Sequence, residues 1–386
     1  MSKRKPRLCI IISLSGSMYG LYRKQLLYLL ERGFDVHAIA GPGPEHDIVR
    51  EMGVKTYVVP MERNPSPIKD LISLARLWWV LLWNRFDIIH VSTPKASFLG
   101  ALASWLSGHR RLIYTLRGRP YEHMTGWRRR LMNGCEWLTC HLACRVVPIC
   151  YELGQVVVEE GLCPAHKICV IGSGSSAGVD LSRFTRTEEN IHIGQNIRRQ
   201  FGIAVDDLVI LFVGRIRRDK GTNELVTAFE SLAEEYLNLH LLLLGKYEHS
   251  DPLEDSVVSL IESHPRIHHL PWRLEPAPIY TAADIVAFPS YREGFGAVAM
   301  EASAMELPVV ASDIMGCREA VKNGLTGLLV PRADVQALKD ALKKLIDAPE
   351  LRRELARNGR NRVEREFRQE LIWQGILEQY HSLLVN

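Results

Sequence analysis

The sequence predicts an α/β fold built from two doubly wound parallel sheets. Short apolar runs alternate with amphipathic helical stretches twice along the chain. Several of the apolar runs lack the alternation of a half-exposed strand, as expected where helices cover both faces of a parallel sheet. A length of 386 residues also favours two domains over a single core.

The first alternating series predicts a domain over residues 1–175. Helices are expected at about residues 18–32, 66–84, 95–107, 127–142 and 151–161. The strand candidates between them are RLCIIISL, DVHAIA, KTYVVP, DIIHVST, RLIYTL, RVVPIC and KICVIG. The segment Gly172–Gln195 is rich in glycine, serine and charge and breaks the alternation, so it is the predicted linker.

The second series predicts a domain over residues 176–365. Its strand candidates are LVILFVGR, LHLLLLGK, IHHLP, IVAFPS, PVVASD and TGLLVP. Helices are expected near 222–236, 253–263 and 334–347, and around Glu301. Two charged helical stretches follow, and we predict that the last segment, 366–386, packs back toward the first domain.

The stretch Glu293–Asp313 carries the strongest chemical pattern. It reads as a strand end, a Gly294-Phe295-Gly296 turn, a helix of small residues and another strand. Such a turn directs backbone N–H groups and the positive end of a helix dipole at its occupant, which suits a phosphate. The helix is apolar nearly all round, so a carboxylate at Glu301 is expected to need a partner.

A basic loop, GRIRRDKG, follows the strand LVILFV. Ligands of doubly wound sheets bind at the carboxyl ends of strands. Arg215 offers bidentate contacts and Lys220 a point charge, so the loop is suited to a diphosphate, although a solvated basic loop is the alternative. Arg217 and Arg218 are interpreted as surface residues.

Taken together, Glu293 and Glu301 with seven residues between them, PSYREGF before and ELPVVASDIMGCREAV after, resemble the donor-site signature of retaining GT-B glycosyltransferases of family 4. The resemblance covers essentially the full length and is most specific from Arg215 to Val330. It implies two Rossmann-like domains facing a cleft, the first binding the acceptor and the second a nucleotide sugar. UDP is the expected nucleotide.

The resemblance also implies residue roles. Glu293 would bind hydroxyls of the transferred sugar, while Arg215 and Lys220 would hold the donor pyrophosphate; these three are the predicted catalytic residues. Glu301 would bind the ribose. The full set predicted to bind the donor is Gly16, Gly214, Gly245, Arg273, Gly294, Phe295, Gly296 and Glu301.

Three cationic residues of the first domain are predicted to meet the acceptor or a phosphate: Arg23, Lys95 and Arg117. Many family members place a histidine before a glycine after the fifth strand, whereas this chain has Arg117 before Gly118. An arginine cannot act as a base, because its pKa exceeds about 12. His90 and His141 have no motif around them, so the identity of any base stays open.

No metal or cofactor is expected. The sequence near the predicted site has no Asp-x-Asp motif, and the eight cysteines complete no zinc quartet. The nucleotide sugar is a substrate. The resemblance implies that configuration is retained without a protein nucleophile, with cations and helix N-termini stabilising the leaving diphosphate.

Charge is unevenly distributed along the chain. Residues 1–180 hold 23 Lys and Arg against 14 Asp and Glu, whereas residues 181–386 hold 25 against 30. The basic half therefore suits a polyprenyl-diphosphate-linked or other glycan acceptor and an anionic membrane surface. Trp78, Trp79 and Trp83 with Arg128–Arg130 are candidate anchors, unless the tryptophans belong to the core.

No apolar run is long enough to span a bilayer, so we expect a cytoplasmic protein bound peripherally to the inner face of the membrane. The predicted function is transfer of a hexose or N-acetylhexosamine to a lipid-linked glycan in cell-surface polysaccharide biosynthesis. A GT-B-fold UDP-sugar epimerase and a non-catalytic basic membrane-surface module are the alternatives. Nucleic acid is not an expected partner.

Overall fold

The computed structural model describes residues 4–62, 66–119, 121–122, 124–175, 177–248 and 250–385. The chain divides into two compact units. The first comprises Met1–Ala177 together with Glu370–Asn386, and the second is Gly178–Gln369. In the described part of the chain each unit contains a six-stranded parallel sheet with helices around it, which confirms the predicted pair of doubly wound α/β folds.

The first unit has the strand order β3-β2-β1-β4-β5-β6. Its elements are β1 (Arg7–Ile11), α1 (Ser15–Ser17), a π-helical segment (Met18–Tyr22), α2 (Arg23–Glu31), β2 (Asp35–Ala40), α3 (Glu45–Glu51), β3 (Lys55–Val58), α4 (Pro67–Asn84), β4 (Ile88–Ser92), α5 (Pro94–Leu106), β5 (Leu112–Leu116), α6 (Gly126–Leu142), β6 (Arg145–Pro148) and α7 (Tyr151–Glu159). Helix α4 packs on α5, and α5 packs on α6.

The second unit has the strand order β12-β11-β10-β7-β8-β9. Its elements are α8 (Glu188–Gln200), β7 (Leu208–Val213), a 3₁₀ turn (Arg218–Lys220), α9 (Thr222–Glu235), β8 (Leu239–Leu244), α10 (Asp255–Ser263), β9 (Ile267–Leu270), α11 (Ala277–Tyr280), β10 (Ile285–Phe288), α12 (Ala297–Ala304), β11 (Val309–Ser312), α13 (Cys317–Ala320), β12 (Gly327–Val330), α14 (Val335–Asp347) and α15 (Pro349–Glu366). Because the strands are parallel, the loops after β7, β8 and β10 meet at one edge of the sheet.

The last helix, α16 (Gln369–Val385), supplies apolar side chains to the core of the first unit. Its buried Ile372, Ile376 and Tyr380 join the cluster that includes Leu26 and Phe34. Burying an aliphatic side chain stabilises a fold by about 1.5–3 kcal/mol. The first unit therefore depends on this returning segment for part of its core.

The structure differs from the sequence prediction at several segments, among them the short helices α11 and α13, which were not predicted. Predicted strand KICVIG lies outside the sheet: a 3₁₀ turn (Ala165–Lys167) is followed by an isolated bridge between Val146 and Ile168. Helix α3 was not predicted. Helix α8 overlaps the predicted linker, and its capping signal was readable, because Thr187 Oγ1 accepts a hydrogen bond from the Asn190 N–H and acidic residues occupy the first turn.

Buried histidines lie in both units. His90, on β4, contacts the Tyr380 hydroxyl at 2.5 Å and Thr115 Oγ1 at 2.6 Å. Burial lowers the pKa of His90 to about 3, and the nearby Arg117 acts in the same direction. In the second unit, His268 Nε2 lies 3.0 Å from His240 Nδ1. Burial, and to a smaller extent the charge of His240, lowers the pKa of His268 to about 4.

These pKa values predict loss of stability in acid. Below the unfolded-state pKa of 6.5 the unfolded chain binds protons that the native histidines do not, so stability falls as the pH falls from 7 toward 4. The shift of His90 alone corresponds to about 2 kcal/mol at pH 5. Melting temperatures at pH 7 and pH 5 measure the effect.

We expect His90→Gln to lower the melting temperature at pH 7 but to reduce its drop between pH 7 and pH 5 by about 4–8 °C relative to wild type. The matched control is His166→Gln, at an exposed position of the same unit. Equal drops in wild type and His90→Gln would contradict the prediction.

Candidate functional site

The predicted diphosphate loop lies at the carboxyl end of β7, in the middle of the second sheet. It closes at Gly221, whose φ is 70° and where a Cβ would lie 2.0 Å from the Pro289 carbonyl oxygen. Gly245, at the end of β8, is equally confined, since a Cβ there would lie 1.8 Å from the Gly214 carbonyl oxygen. Glycine is required at both positions because loop backbones pass in direct contact.

Lys220 and Glu293, both predicted site residues, are brought together by this arrangement. Lys220 Nζ lies 2.5 Å from Glu293 Oε1 and 3.5 Å from Ser290 Oγ. The Lys220 and Glu293 side chains are each 16% exposed. The loops after β7 and β10 are thus joined by a largely buried ion pair, whose Coulomb attraction is screened less by water and salt than that of a surface pair.

Arg215, the third predicted catalytic residue, projects from the same loop. Its side chain is 44% exposed, and its Nη1 lies 2.5 Å from Glu248 Oε2. Glu248 belongs to the loop after β8. Arg215 therefore combines access to solvent with one fixed carboxylate contact.

Glu301 lies on α12 and has the partner that its apolar surroundings require. The Tyr280 hydroxyl donates a hydrogen bond of 2.8 Å to Glu301 Oε2. Burial raises the pKa of Glu301 to about 7, while this hydrogen bond and the charge of Arg183 act in the opposite direction. The carboxylate therefore changes charge near neutral pH.

The glycine turn before α12 places one predicted donor-binding residue in the core. The Phe295 side chain is 5% exposed and packs edge-on against Phe367, with ring centroids 5.7 Å apart. A donor contact by Phe295 is thus limited to its backbone. Gly294 and Gly296 complete the turn, and Gly296 precedes the first residue of α12.

The loop after β9 carries the predicted Arg273. Arg273 is exposed, and the neighbouring Trp272 is 62% exposed, so Trp272 does not belong to the core. His269, at the end of β9, lies 2.9 Å from the Gly245 carbonyl oxygen through its Nε2. The ends of β8 and β9 are joined at the edge of the sheet that holds Arg215 and Lys220.

The interpretation of Arg217 as a surface residue is wrong. It is 8% exposed, and its guanidinium lies 2.6 Å from Asp219, 3.1 Å from Glu248 and 3.2 Å from Asp251. The basic loop looks solvated in sequence because two of the three acidic partners of Arg217, Glu248 and Asp251, are distant in the chain. The sequence analysis missed Glu248, Asp251 and Tyr280, which no motif marks.

Arg117, one of the predicted acceptor residues, lies beside a small pocket in the first unit. Its Nε donates to Ser92 Oγ at 2.6 Å and its Nη2 to the Tyr22 hydroxyl at 2.9 Å. Gln25, His90, Ser175 and Thr115 also line this pocket. His90 is fully enclosed, and burial lowers its pKa to about 3, which makes it a weak base, so it is not placed as a general base.

The other predicted residues of the first unit lie on neighbouring elements. Lys95 begins α5 and forms a 2.7 Å ion pair with Asp70. Arg23 begins α2 and lies over the Tyr19 ring, 4.7 Å from its centroid. Gly16 lies in α1, where an added Cβ would make only an ordinary contact with Glu45. These residues belong to a different compact unit from Arg215, Lys220 and Glu293.

Two family models match the chain. Residues 23–174 match "Glycosyl transferase 4-like domain", and residues 194–362 match "Glycosyl transferases group 1". The capsular polysaccharide biosynthesis glycosyltransferase CapM of Staphylococcus aureus is 30% identical over 94% of this chain and 94% of its own length. An Escherichia coli UDP-Gal:alpha-D-GlcNAc-diphosphoundecaprenol alpha-1,3-galactosyltransferase is 28% identical over 92% and 90% of the two chains.

Solved structures share the fold. The crystal structure of Anabaena Alr3699/HepE in complex with UDP superposes with a TM-score of 0.79 at 21% identity, covering 98% of this chain and all of the other. A glycosyltransferase from Rickettsia africae ESF-5 gives a TM-score of 0.81 at 20% identity, covering 99% of each chain. With the paired sheets and the full-length relative, these matches show that the chain belongs to the family-4 type of GT-B glycosyltransferases and is a nucleotide-sugar-dependent glycosyltransferase.

Proposed function

We propose that this enzyme transfers a hexose or N-acetylhexosamine from a UDP-sugar, with retention of configuration, to a lipid-linked glycan in cell-surface polysaccharide assembly. The observation that carries the proposal is the 2.5 Å Lys220–Glu293 pair at the carboxyl end of the second sheet, on the loop shared with Arg215. The names of the relatives support the pathway: one acts in capsular polysaccharide biosynthesis and another on a diphosphoundecaprenol-linked sugar. The UDP complex of a structural neighbour supports the nucleotide.

In this proposal the donor lies across the loops after β7, β8 and β10. Arg215 and Lys220 contact the diphosphate, Glu293 accepts hydrogen bonds from hydroxyls of the sugar, and Glu301 accepts them from the ribose. Both glutamates lie on the polypeptide between β10 and β11, one before the turn and one in α12. Their separation along that segment supports a contact of Glu293 with the transferred sugar and of Glu301 with the ribose.

The transfer step needs no protein nucleophile. The bond between the sugar C1 and the diphosphate oxygen breaks, and its electron pair passes to the phosphate. The acceptor hydroxyl oxygen bonds to C1 from the same face, and its proton passes to the departing phosphate oxygen. Arg215 and Lys220 stabilise the charge that develops on the phosphate, which is commonly the largest catalytic contribution.

The two cations are proposed to replace a divalent ion at the diphosphate. Their carboxylate partners, Glu248 and Glu293, hold them in place before the donor binds. A guanidinium and an ammonium suit this task because they provide directed N–H donors as well as charge. No cofactor is part of the proposal.

Lys220→Ala and Arg215→Ala are each expected to lower turnover by at least about 100-fold, as for loss of a preorganised oxyanion donor. Purified variants are compared for release of UDP from a UDP-sugar with a lipid-linked acceptor, with and without EDTA. The matched control is Arg218→Ala, an exposed cation of the same loop, which should keep wild-type turnover. Wild-type turnover in Lys220→Ala or Arg215→Ala, or loss of wild-type activity in EDTA, would contradict the proposed diphosphate site.

Glu301→Ala is expected to weaken UDP binding, whereas Glu293→Ala should leave UDP binding nearly intact and impair sugar transfer. Since the pKa of Glu301 is raised to about 7, its carboxylate becomes a stronger acceptor as the pH rises from 6 to 8. UDP should therefore bind more tightly at pH 8, by a larger factor in wild type than in Glu301→Gln. Calorimetric titration measures UDP affinity, and equal losses in both alanine variants would contradict the assigned roles.

The acceptor is proposed to meet the first unit. Arg117 and Lys95 lie at the carboxyl ends of β5 and β4, and residues 1–180 carry an excess of nine cationic side chains. A lipid-linked diphosphate would be attracted by such a field, whereas a neutral soluble sugar would not. Among the helices of the described residues, none combines the length and the hydrophobicity that a membrane span requires.

Helix α4 supports a peripheral contact with the cytoplasmic face of an anionic bilayer. Ser73, Leu77 and Leu81 are buried on one side of this helix. The opposite side exposes apolar residues at helical spacing: Ile68 (77%), Leu71 (66%), Ile72 (49%), Trp79 (58%), Leu82 (40%) and Trp83 (69%). An amphipathic helix with exposed tryptophans suits the headgroup region.

Helix α6 adds charge and further exposed apolar side chains. It packs on α5, which in turn packs on α4, so the three helices form one layer. Trp127 is 70% exposed and Leu131 57% exposed, and Arg128 and Arg130 are exposed beside them. Each juxtamembrane cation contributes roughly 1 kcal/mol toward an anionic leaflet. The exposed tryptophans therefore favour anchoring over the core location that the sequence also allowed.

The enzyme should sediment with anionic vesicles at low salt and less in about 0.5 M salt, where the Debye length is well below 10 Å. Replacing Trp79 and Trp83 with serine should lower the bound fraction at least about fivefold, because their apolar area is lost. Trp272→Ser, an equally exposed tryptophan of the second unit, is the control. Absence of binding to anionic vesicles, or binding that salt does not change, would defeat electrostatic docking.

A further inference from the structure

The loops after β7 and β8 are joined beyond the ends of their strands. The Ile216 N–H donates to the Lys246 carbonyl at 2.8 Å, and the Glu248 N–H donates to the Ile216 carbonyl at 3.1 Å. Further along, the Arg218 N–H donates to the Asp251 carbonyl at 3.1 Å. The diphosphate loop and the loop after β8 are therefore fixed to each other through their backbones.

Glu248 lies where this backbone pairing meets the proposed diphosphate site. One carboxylate oxygen contacts Arg215 at 2.5 Å, and the other contacts Arg217 at 3.1 Å and accepts a hydrogen bond of 2.8 Å from the Ser250 hydroxyl. These interactions, the Ser250 hydrogen bond above all, lower the pKa of Glu248 to about 2. Glu248 is therefore ionised throughout the working pH range.

Arg217 and Asp251 support Glu248 from behind. Asp251 Oδ2 contacts Arg217 at 3.2 Å and accepts a hydrogen bond of 2.9 Å from the Asp219 N–H. Arg217 is enclosed by these carboxylates and is nearly buried. Arg217 therefore joins the two loops from inside, and Arg215 contacts Glu248 from the solvent side.

We propose that Glu248 is a positioning residue for the donor diphosphate: it holds the Arg215 guanidinium by Nη1 in the orientation that meets the phosphates. The inference rests on the proposed function. An exposed arginine loses much rotamer freedom when it binds a ligand, and a carboxylate that has already restricted it lowers that cost. A carboxylate that merely competed with phosphate for Arg215 would weaken UDP binding, and its removal would then tighten UDP binding.

The test compares UDP with uridine, which has the same base and ribose but no phosphate. Calorimetry on Glu248→Ala should give UDP affinity about tenfold weaker and uridine affinity unchanged. Glu248→Gln keeps an oxygen that accepts from Arg215 Nη1, so its loss should stay below about threefold. Glu262→Ala removes an exposed carboxylate from α10 and should leave both affinities unchanged.

A double-mutant cycle assigns the effect to Arg215. In an Arg215→Ala background, Glu248→Ala should change UDP affinity by less than about twofold, because nothing remains to be positioned. Tighter UDP binding in Glu248→Ala, a matching loss of uridine affinity, or a tenfold loss that persists without Arg215 would each overturn the inference. Failure of the wild-type enzyme to bind UDP would refute the proposed function itself, whereas UDP binding that depends on Arg215 but not on Glu248 would refute only the positioning role.

Discussion

The proposed donor site depends on two contacts between loop backbones that leave no space for a side chain. Gly245 lies against the Gly214 carbonyl and Gly221 against the Pro289 carbonyl. These contacts hold the loops after β7, β8 and β10 close together. Only then can Arg215 reach Glu248, 33 positions away, and Lys220 reach Glu293, 73 positions away. A parallel sheet supplies the shared edge, and glycine makes the close approach of its loops possible.

Sequence reasoning identified the fold, and the same physical argument selected the candidate cations at one edge of the second sheet. Alternating apolar and amphipathic segments specify a doubly wound sheet, and such a sheet collects its loops at one edge. Lys220 and Glu293 could therefore be assigned to one site before their contact was known. Their direct pairing, and the partnership of Tyr280 with Glu301, could not be predicted, because tertiary packing and not sequence spacing determines which side chains meet.

The remaining errors have similar causes. Arg217 looked solvated because Glu248 and Asp251 lie in another loop, and their charges become relevant only after folding. Helix α8 was hidden by the glycine and serine that precede it, although its Thr187 cap was present in the sequence. For α4, the periodicity of Trp79 and Trp83 was visible. Which side of the helix would be covered depended on its packing against α5.

The return of residues 370–386 to the first unit has a consequence for biosynthesis. A ribosome must translate the 192 residues of Gly178–Gln369 between the main body of that unit and its closing helix. At 5–20 residues per second, this takes roughly 10–40 s. Throughout that interval Phe34 and His90 lack Tyr380, and the apolar side chains that α16 will contact lack that part of their cover. The unit synthesised first is therefore the one completed last, and the period of greatest risk of misassociation falls on that unit.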